Sequence, residues 1–514
     1  MKPIRLLRSA MTVGFWTFMS RIFGLMREIM IMAMIGPGPV LDAFVAAFRL
    51  PNMFRRFFAE GALNAAFVPM FSKRLERNDA PNEFASEAFS GLAFVLLCLT
   101  TAAMIFMPAL VYATAEGFAG TDRFEITVSY GRVMFPYILL ISLAAILSGA
   151  LNAAGHFAIA AAAPVLLNIM IVGALAIAWT LGLPIVDTLV WTVPFAGIAQ
   201  FALVYWSAQR NGLKIVPPRP RWTPNMKLLV FTALPAAFAN GIMQINLLVG
   251  QHVASAYEGA IGWLYAADRL YQLPLGVIGI AIGIVLLPDL SRRLTAQDDS
   301  GAKWAYSRAS EFAMALTIPA AVALIVVSEP LVSVLYQRGE TSGMDIQKIA
   351  LVTAIYALGL PAFVMQKVIT PLYFARGDTK TPTRFAVVGL LVNTVVAIGG
   401  SYYVDWYATA AAVAISAWLM LGLLAWGARR LGPATQLDAR YWGKLWRIVL
   451  SSLGMGAVLF YAAFQTQSWY YMPTWRYAAL LGLIALGVLS YAALAQITGA
   501  LRIKDLRTIA QRSR

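Results

Sequence analysis

The chain has 514 residues, 60% of them hydrophobic, a mean hydropathy of +0.71 and a formal net charge of +16. This composition excludes an ordinary soluble domain and fits a polytopic membrane protein. The basic excess does not call for nucleic acid, because it lies mainly in short segments between apolar runs, where the positive-inside rule puts it.

Runs of about 20 apolar residues predict fourteen spans. Span 1 (10–34) carries Arg21, Arg27 and Glu28, and span 2 (42–68) carries Asp42, Arg49, Arg55, Arg56 and Glu60. An arginine facing lipid at a helix centre costs roughly 2.5–3.5 kcal/mol, so these side chains are expected to face a polar interior. At 3.6 residues per turn Arg21, Gly24 and Glu28 share one side of span 1, with Arg27 about 120° from Arg21. Gly24 lets another helix or a ligand come close. Asp42 and Arg49 share a side of span 2. Pro51 is expected to kink it, and Arg56 and Glu60 can pair beyond the kink. Arg55 and Arg56 can equally snorkel toward headgroups.

Spans 3 to 6 cover 86–112, 128–153, 158–182 and 187–208. Spans 7 and 8 follow at 228–251 and 261–288, the latter carrying Asp268 and Arg269, with Gln272 a turn further on. Spans 9 to 14 cover 310–336, 349–374 (with Lys367), 385–403, 406–428, 448–466 and 477–498. With the N-terminus inside, nearly all basic loop residues fall on the cytoplasmic side. Arg123, Arg338, Lys348 and Arg476 are left outside, so both termini are expected in the cytoplasm. Tyr402, Tyr403, Trp406 and Tyr407, and Trp469 to Tyr477, suit outer headgroup belts.

The lone Cys98 precludes an intrachain disulfide. His156 and His252 are too few for a metal site, and no connection is long enough for a folded soluble domain. Gly443-Lys444 is followed by Leu445, so there is no phosphate-binding loop for a nucleotide. No cofactor and no metal are expected.

The chain also resembles itself at a shift near 220 residues. Ala46-Ala47-Phe48-Arg49-Leu50 matches Ala266-Ala267-Asp268-Arg269-Leu270, and Val68-Pro69 through Leu75 matches Leu287-Pro288 through Leu294. Leu167-Asn168 falls near Val392-Asn393. Spans 1–6 and 7–12 are then parallel repeats, an architecture that places a transporter's substrate between its halves. The expected segments are an N-lobe at 1–222, a C-lobe at 223–432 and a piece at 433–514 holding spans 13 and 14. At membrane depth Arg21, Arg27, Arg49, Arg55, Arg56, Arg269 and Lys367 outnumber Glu28, Asp42, Glu60 and Asp268. A cationic interior implies an anionic substrate, and arginine's planar fork suits phosphate or diphosphate.

Ser20-Arg21-Ile22-Phe23-Gly24-Leu25-Met26-Arg27-Glu28, Asp42-Ala43-Phe44, Arg49-Leu50-Pro51-Asn52 and Arg55-Arg56-Phe57-Phe58-Ala59-Glu60-Gly61-Ala62 resemble the MurJ (MviN) family of lipid II flippases. Phe67-Val68-Pro69, Asp268-Arg269-Leu270 and Lys380-Thr381-Pro382 continue the likeness. The resemblance implies a multidrug/oligosaccharidyl-lipid/polysaccharide exporter fold. It would be all-α, with two six-helix lobes around a central cationic cavity and two extra C-terminal helices forming a groove for the lipid tail. It implies lipid II as substrate in the bacterial cytoplasmic membrane, with membrane lipids as surroundings; with no nucleotide site, drive is expected from an electrochemical gradient, as a coupled ion or the membrane potential, or from substrate flux. By matching position it marks Arg21, Arg27, Asp42, Arg55 and Arg269 as functionally sensitive. Arg49 and Glu28 stand where some relatives carry lysine and aspartate. Substrate binding is thus expected from Arg21, Arg27, Arg49, Arg55 and Arg269, gating or charge pairing from Glu28, Asp42, Glu60 and Asp268, and close approach at Gly24.

Other readings remain: a flippase for another polyprenyl-diphosphate glycan, or a drug or cation antiporter of the same superfamily, whose cavity would be rich in carboxylates. A membrane-embedded glycosyltransferase or phosphatase would show paired acidic metal ligands, whereas Asp122 and Glu125 are isolated. The chain is not expected to be an enzyme.

Overall fold

The computed structural model describes residues 3–56, 63–216, 218–472 and 474–501. These are helices and connecting turns, with no strand among the described residues. The chain divides into two compact units, Met1–Gly262 and Trp263–Arg514.

The first unit contains α1 (Pro3–Met34), α2 (Pro39–Arg55), α3 (Leu63–Arg77), α4 (Pro81–Ile105), α5 (Met107–Thr114), α6 (Asp122–Met134), α7 (Tyr137–Ala153), α8 (Ala158–Leu181), α9 (Ile185–Arg210) and α10 (Pro224–Ser255). Pro39, Pro81 and Pro224 stand in the first turns of their helices, where a missing N–H leaves no bond unmade. α1 packs along α8, α8 on α9, α7 on α9, α2 on α6 and α10 on α3. Phe67 stacks on Phe71 and Phe84 at 5.4 and 5.6 Å between ring centres. The Tyr137 hydroxyl donates to Gln200 Oε1 (3.2 Å), whose amide donates to the Ala163 carbonyl (2.7 Å). One buried glutamine therefore ties α7, α8 and α9 together with its polar atoms satisfied.

α11 (Ala260–Thr295) begins at the boundary between the units and runs on into the second. After it come α12 (Asp299–Val326), α13 (Ser328–Tyr336), α14 (Gly343–Phe374), α15 (Lys380–Val404), α16 (Tyr407–Ala428), α17 (Ala439–Gln465) and α18 (Arg476–Thr498). α12 packs on both α14 and α17, α16 on both α14 and α15, and α17 on α18. The α15–α16 seam is made by small residues: a Cβ on Gly400 would lie 3.0 Å from the Ala408 Cβ. Only 17% of the apolar stretch of α15 is buried, the least of any candidate span. Trp406, expected in an outer belt with Tyr402 and Tyr403, is instead buried against Trp263 and Tyr407, while the two tyrosines are exposed.

Ten described helices or helix pairs are long and apolar enough to cross a membrane. They coincide with predicted spans 3–6 and 9–14. The other four predicted spans, 1, 2, 7 and 8, correspond to α1, α2 with α3, α10 and α11, the opening pair of each sequence repeat. Spans 3, 4 and 9 are not single rods: α4 gives way to α5 at Phe106, α6 to α7 at Phe135–Pro136 and α12 to α13 at Val327. Pro108, Pro136 and Pro330 explain these breaks, since each removes a backbone donor.

Glu311 on α12 anchors α17. Its carboxylate meets Lys444 Nζ at 2.9 Å and Arg440 Nε at 3.6 Å, and it pairs with Arg308, which also pairs with Asp438. Glu311 and Lys444 are both buried. Removing one partner of a buried ion pair costs about 3–5 kcal/mol. Glu311→Leu is therefore expected to lower thermal stability in detergent by that order, a loss read by the unfolding of the purified protein.

Candidate functional site

On α1 the expected cations separate into two environments. Arg27 is buried. Its Nη1 donates to Asn168 Oδ1 on α8 (2.8 Å) and its Nη2 to Glu28 Oε2 (3.1 Å). The Asn168 amide in turn donates to the Ser20 carbonyl at 3.1 Å, which fixes its orientation. Arg21 is half-buried and has no hydrogen bond or ion pair among the described residues. Gly24 lies between the two arginines. A Cβ there would stand 3.6 Å from Asn168 Nδ2, in ordinary contact, so alanine fits and anything longer meets the amide.

On α2 the arginines find amides on α10. Arg49 Nη1 donates to Gln251 Oε1 and Arg56 Nη1 to Gln244 Oε1, each at 3.4 Å. The seven-residue spacing on both helices, with the order reversed, is that of an antiparallel polar ladder. Gln251 passes a further bond to the Thr114 carbonyl at 3.5 Å. Arg55 is half-buried in the last turn of α2. Glu60, the expected partner of Arg56, lies outside the described residues.

Asp42 does not share its surroundings with Arg49. It is fully buried, and its two oxygens accept from the Gly259 N–H (2.7 Å) and the Gly262 N–H (2.8 Å), the amides that open α11. It thus caps that helix from a distant part of the chain, where a negative charge is favoured. Arg123 Nη1 stands 3.8 Å from the same carboxylate, and its guanidinium lies over the Phe118 ring, 4.7 Å from the centre. The neighbouring Gly117 N–H donates to Ser255 Oγ at 3.0 Å. A Cβ on Gly117 would come within 2.3 Å of the Ala256 nitrogen, so only glycine allows this approach.

In the second unit Arg269 is half-buried, its guanidinium 4.9 Å from the centre of the Tyr265 ring. Asp268 accepts from Gln272 Nε2 at 2.5 Å. Lys367, counted among the cations at membrane depth, is exposed. The burial pattern at 261–270 repeats that at 41–50 position for position: seven buried residues, two half-buried, one buried. Arg49 and Arg269 hold the same place in it.

Sequence reasoning missed Asn168, Gln244, Gln251 and Arg123 as partners. The first three carried a usable signal, being amides within long apolar helices, where an unpaired polar group is costly. Arg123 read only as an outer-loop cation.

Among proteins of known family, the model for the lipid II flippase MurJ matches residues 31–481. A probable lipid II flippase MurJ of Rhizobium meliloti (strain 1021) is 42% identical over 529 residues, covering 99% of this chain and 96% of that one. Among solved structures, a lipid II flippase MurJ in an inward closed conformation is similar with a TM-score of 0.79. It shares 24% identity and covers 94% of this chain and 98% of its own. An inward-facing multidrug resistance MATE family transporter of the MOP superfamily is similar at a TM-score of 0.66 and 16% identity, covering 82% of this chain and 96% of its own. Flippases and drug exporters share this fold, so the fold alone does not select a substrate.

Proposed function

The chain belongs to the MurJ family of lipid II flippases, and from that membership we infer that it carries lipid II, the undecaprenyl-diphosphate-linked precursor of peptidoglycan, across the membrane. Transport runs from the inner to the outer leaflet of the bacterial cytoplasmic membrane, with both termini in the cytoplasm. The lipid leaves chemically unchanged, so no catalytic group is assigned.

The observation that supports an anionic cargo is the set of arginines held inside otherwise apolar helices: Arg21 and Arg27 on α1, Arg49 and Arg55 on α2, and Arg269 on α11. Drug or cation export on the same fold would want carboxylates at these places, and the sign here is opposite. Arg21 and Arg27 take the largest share of diphosphate contact in this reading, because a guanidinium fork matches a phosphate edge. Arg49, Arg55 and Arg269 add positive field, and Asp42 and Glu28 order the helices around them. The 1–222, 223–432 and 433–514 segments act as N-lobe, C-lobe and tail-binding piece. The cycle is alternating access. An inside-negative potential favours outward movement of negative charge by about 2.3 kcal/mol per charge per 100 mV, so the potential can drive it.

Depleting the protein in a growing culture and measuring lipid II in each leaflet tests this directly. Accumulation in the inner leaflet is expected. An unchanged distribution, with another precursor building up, transfers the protein to a different glycan lipid.

A further inference from the structure

We propose that Asn168 is a positioning residue for anion binding: it holds Arg27 in place by an amide, at a point where a carboxylate would cancel the charge the substrate needs. The proposal rests on the assignment of Arg21 and Arg27 to the diphosphate.

Asn168 is buried, and both ends of its amide are used, Oδ1 by Arg27 Nη1 at 2.8 Å and Nδ2 by the Ser20 carbonyl at 3.1 Å. A buried guanidinium needs an acceptor on each arm, and in most interiors carboxylates supply them. Here one arm of Arg27 goes to a carboxylate, Glu28, and the other to a neutral oxygen. With Arg21 half-buried on the preceding turns, the α1 stretch keeps two guanidiniums against one carboxylate. A second carboxylate at position 168 would bring that balance to zero; it keeps an acceptor for Arg27 and gives up the donor to the Ser20 carbonyl. Gly24 presents no side chain beside the amide.

A structural role and a charge-preserving role therefore predict opposite outcomes for the rescue of Asn168→Asp by Glu28→Gln. If the residue only pins α1 to α8, aspartate keeps the bond to Arg27 but loses the one to the Ser20 carbonyl, and Glu28→Gln does not restore what it loses. If its neutrality matters, aspartate is worse than an apolar residue of similar size. The experiment measures purified lipid II binding to the full-length protein, together with its unfolding temperature, for N168D, N168L, E28Q, the E28Q/N168D double variant and R27A. N168D is expected to unfold at a somewhat lower temperature, through the lost Ser20 bond, and to bind about 10- to 100-fold more weakly, the effect of one added charge near the site. N168L should bind better than N168D, E28Q tighter than the parent, and the double variant, with the parental charge count restored, close to it.

Parental binding by N168D, or a double variant no better than N168D, overturns the proposal. Should N168D alone fail to fold, the ordering of E28Q above the double variant and the parent decides the same question. If R27A binds as the parent does, the diphosphate assignment fails. If R27A loses binding while N168D keeps it, only the role of Asn168 falls.

Discussion

Arg27→Ala is expected to abolish outward display of lipid II while protein still reaches the membrane. The side chain bridges α1 to α8 through Asn168 and pairs with Glu28, so its loss removes two charge-assisted hydrogen bonds of about 1.5–3 kcal/mol each. In the proposed complex it also removes a bidentate phosphate contact. Because alanine takes a partner from a buried carboxylate, Arg27→Lys is the companion variant. Lysine keeps the charge but offers a point donor in place of a planar fork, and cannot span Asn168 and Glu28 together in the same way. It should accumulate normally and transport at least about tenfold more slowly, corresponding to one lost bidentate geometry. Leaflet-resolved lipid II measurement, with immunoblotting for protein level, reads both. Normal display in R27A removes Arg27 from the site.

The second large effect is expected at Asp42. Its carboxylate satisfies the Gly259 and Gly262 amides and faces Arg123. Alanine orphans two buried donors, at roughly 1–3 kcal/mol apiece. Asparagine is informative because it is nearly isosteric: one of its ends is an NH2, which must point at a backbone N–H or at the Arg123 guanidinium. Asp42→Asn should therefore lose almost as much stability as Asp42→Ala, and both should lose transport. Glutamate, one methylene longer, has no room where the native side chain is fully buried. Thermal unfolding of the three purified variants checks the order. Equal stability of the asparagine variant and the parent would mean that the carboxylate's charge is irrelevant to this cap.

Apolar runs predicted fourteen spans, and ten of them coincide with membrane-length elements, because apolar length is a local property that a sliding window sees. Hydropathy missed the breaks near Pro108, Pro136 and Pro330, since a proline interrupts the backbone ladder without making a window less apolar. For the charged spans a second argument, the energetic penalty of arginine in lipid, predicted a polar surrounding for the side chains. That argument says such groups have partners but not which. Arg27 required α8, 141 residues away in sequence, and Asp42 required the amides that open α11, 217 and 220 residues away. Contacts over such separations are set by how helices assemble, and no local pattern encodes them. The repeat was the exception: its 220-residue shift reappears as matching burial around Arg49 and Arg269.

The thin cover on α15 has a mechanical meaning. Acyl chains are as apolar as the leucines and valines that α15 shows them, so sideways travel of this helix exchanges one hydrocarbon neighbour for another. What keeps it in place is contact along a glycine- and alanine-lined seam with α16, where dispersion forces act only at close range. α15 is therefore held from one flank, by α16, which is itself fastened to α14 by the Gln366, Tyr373 and Trp418 side chains.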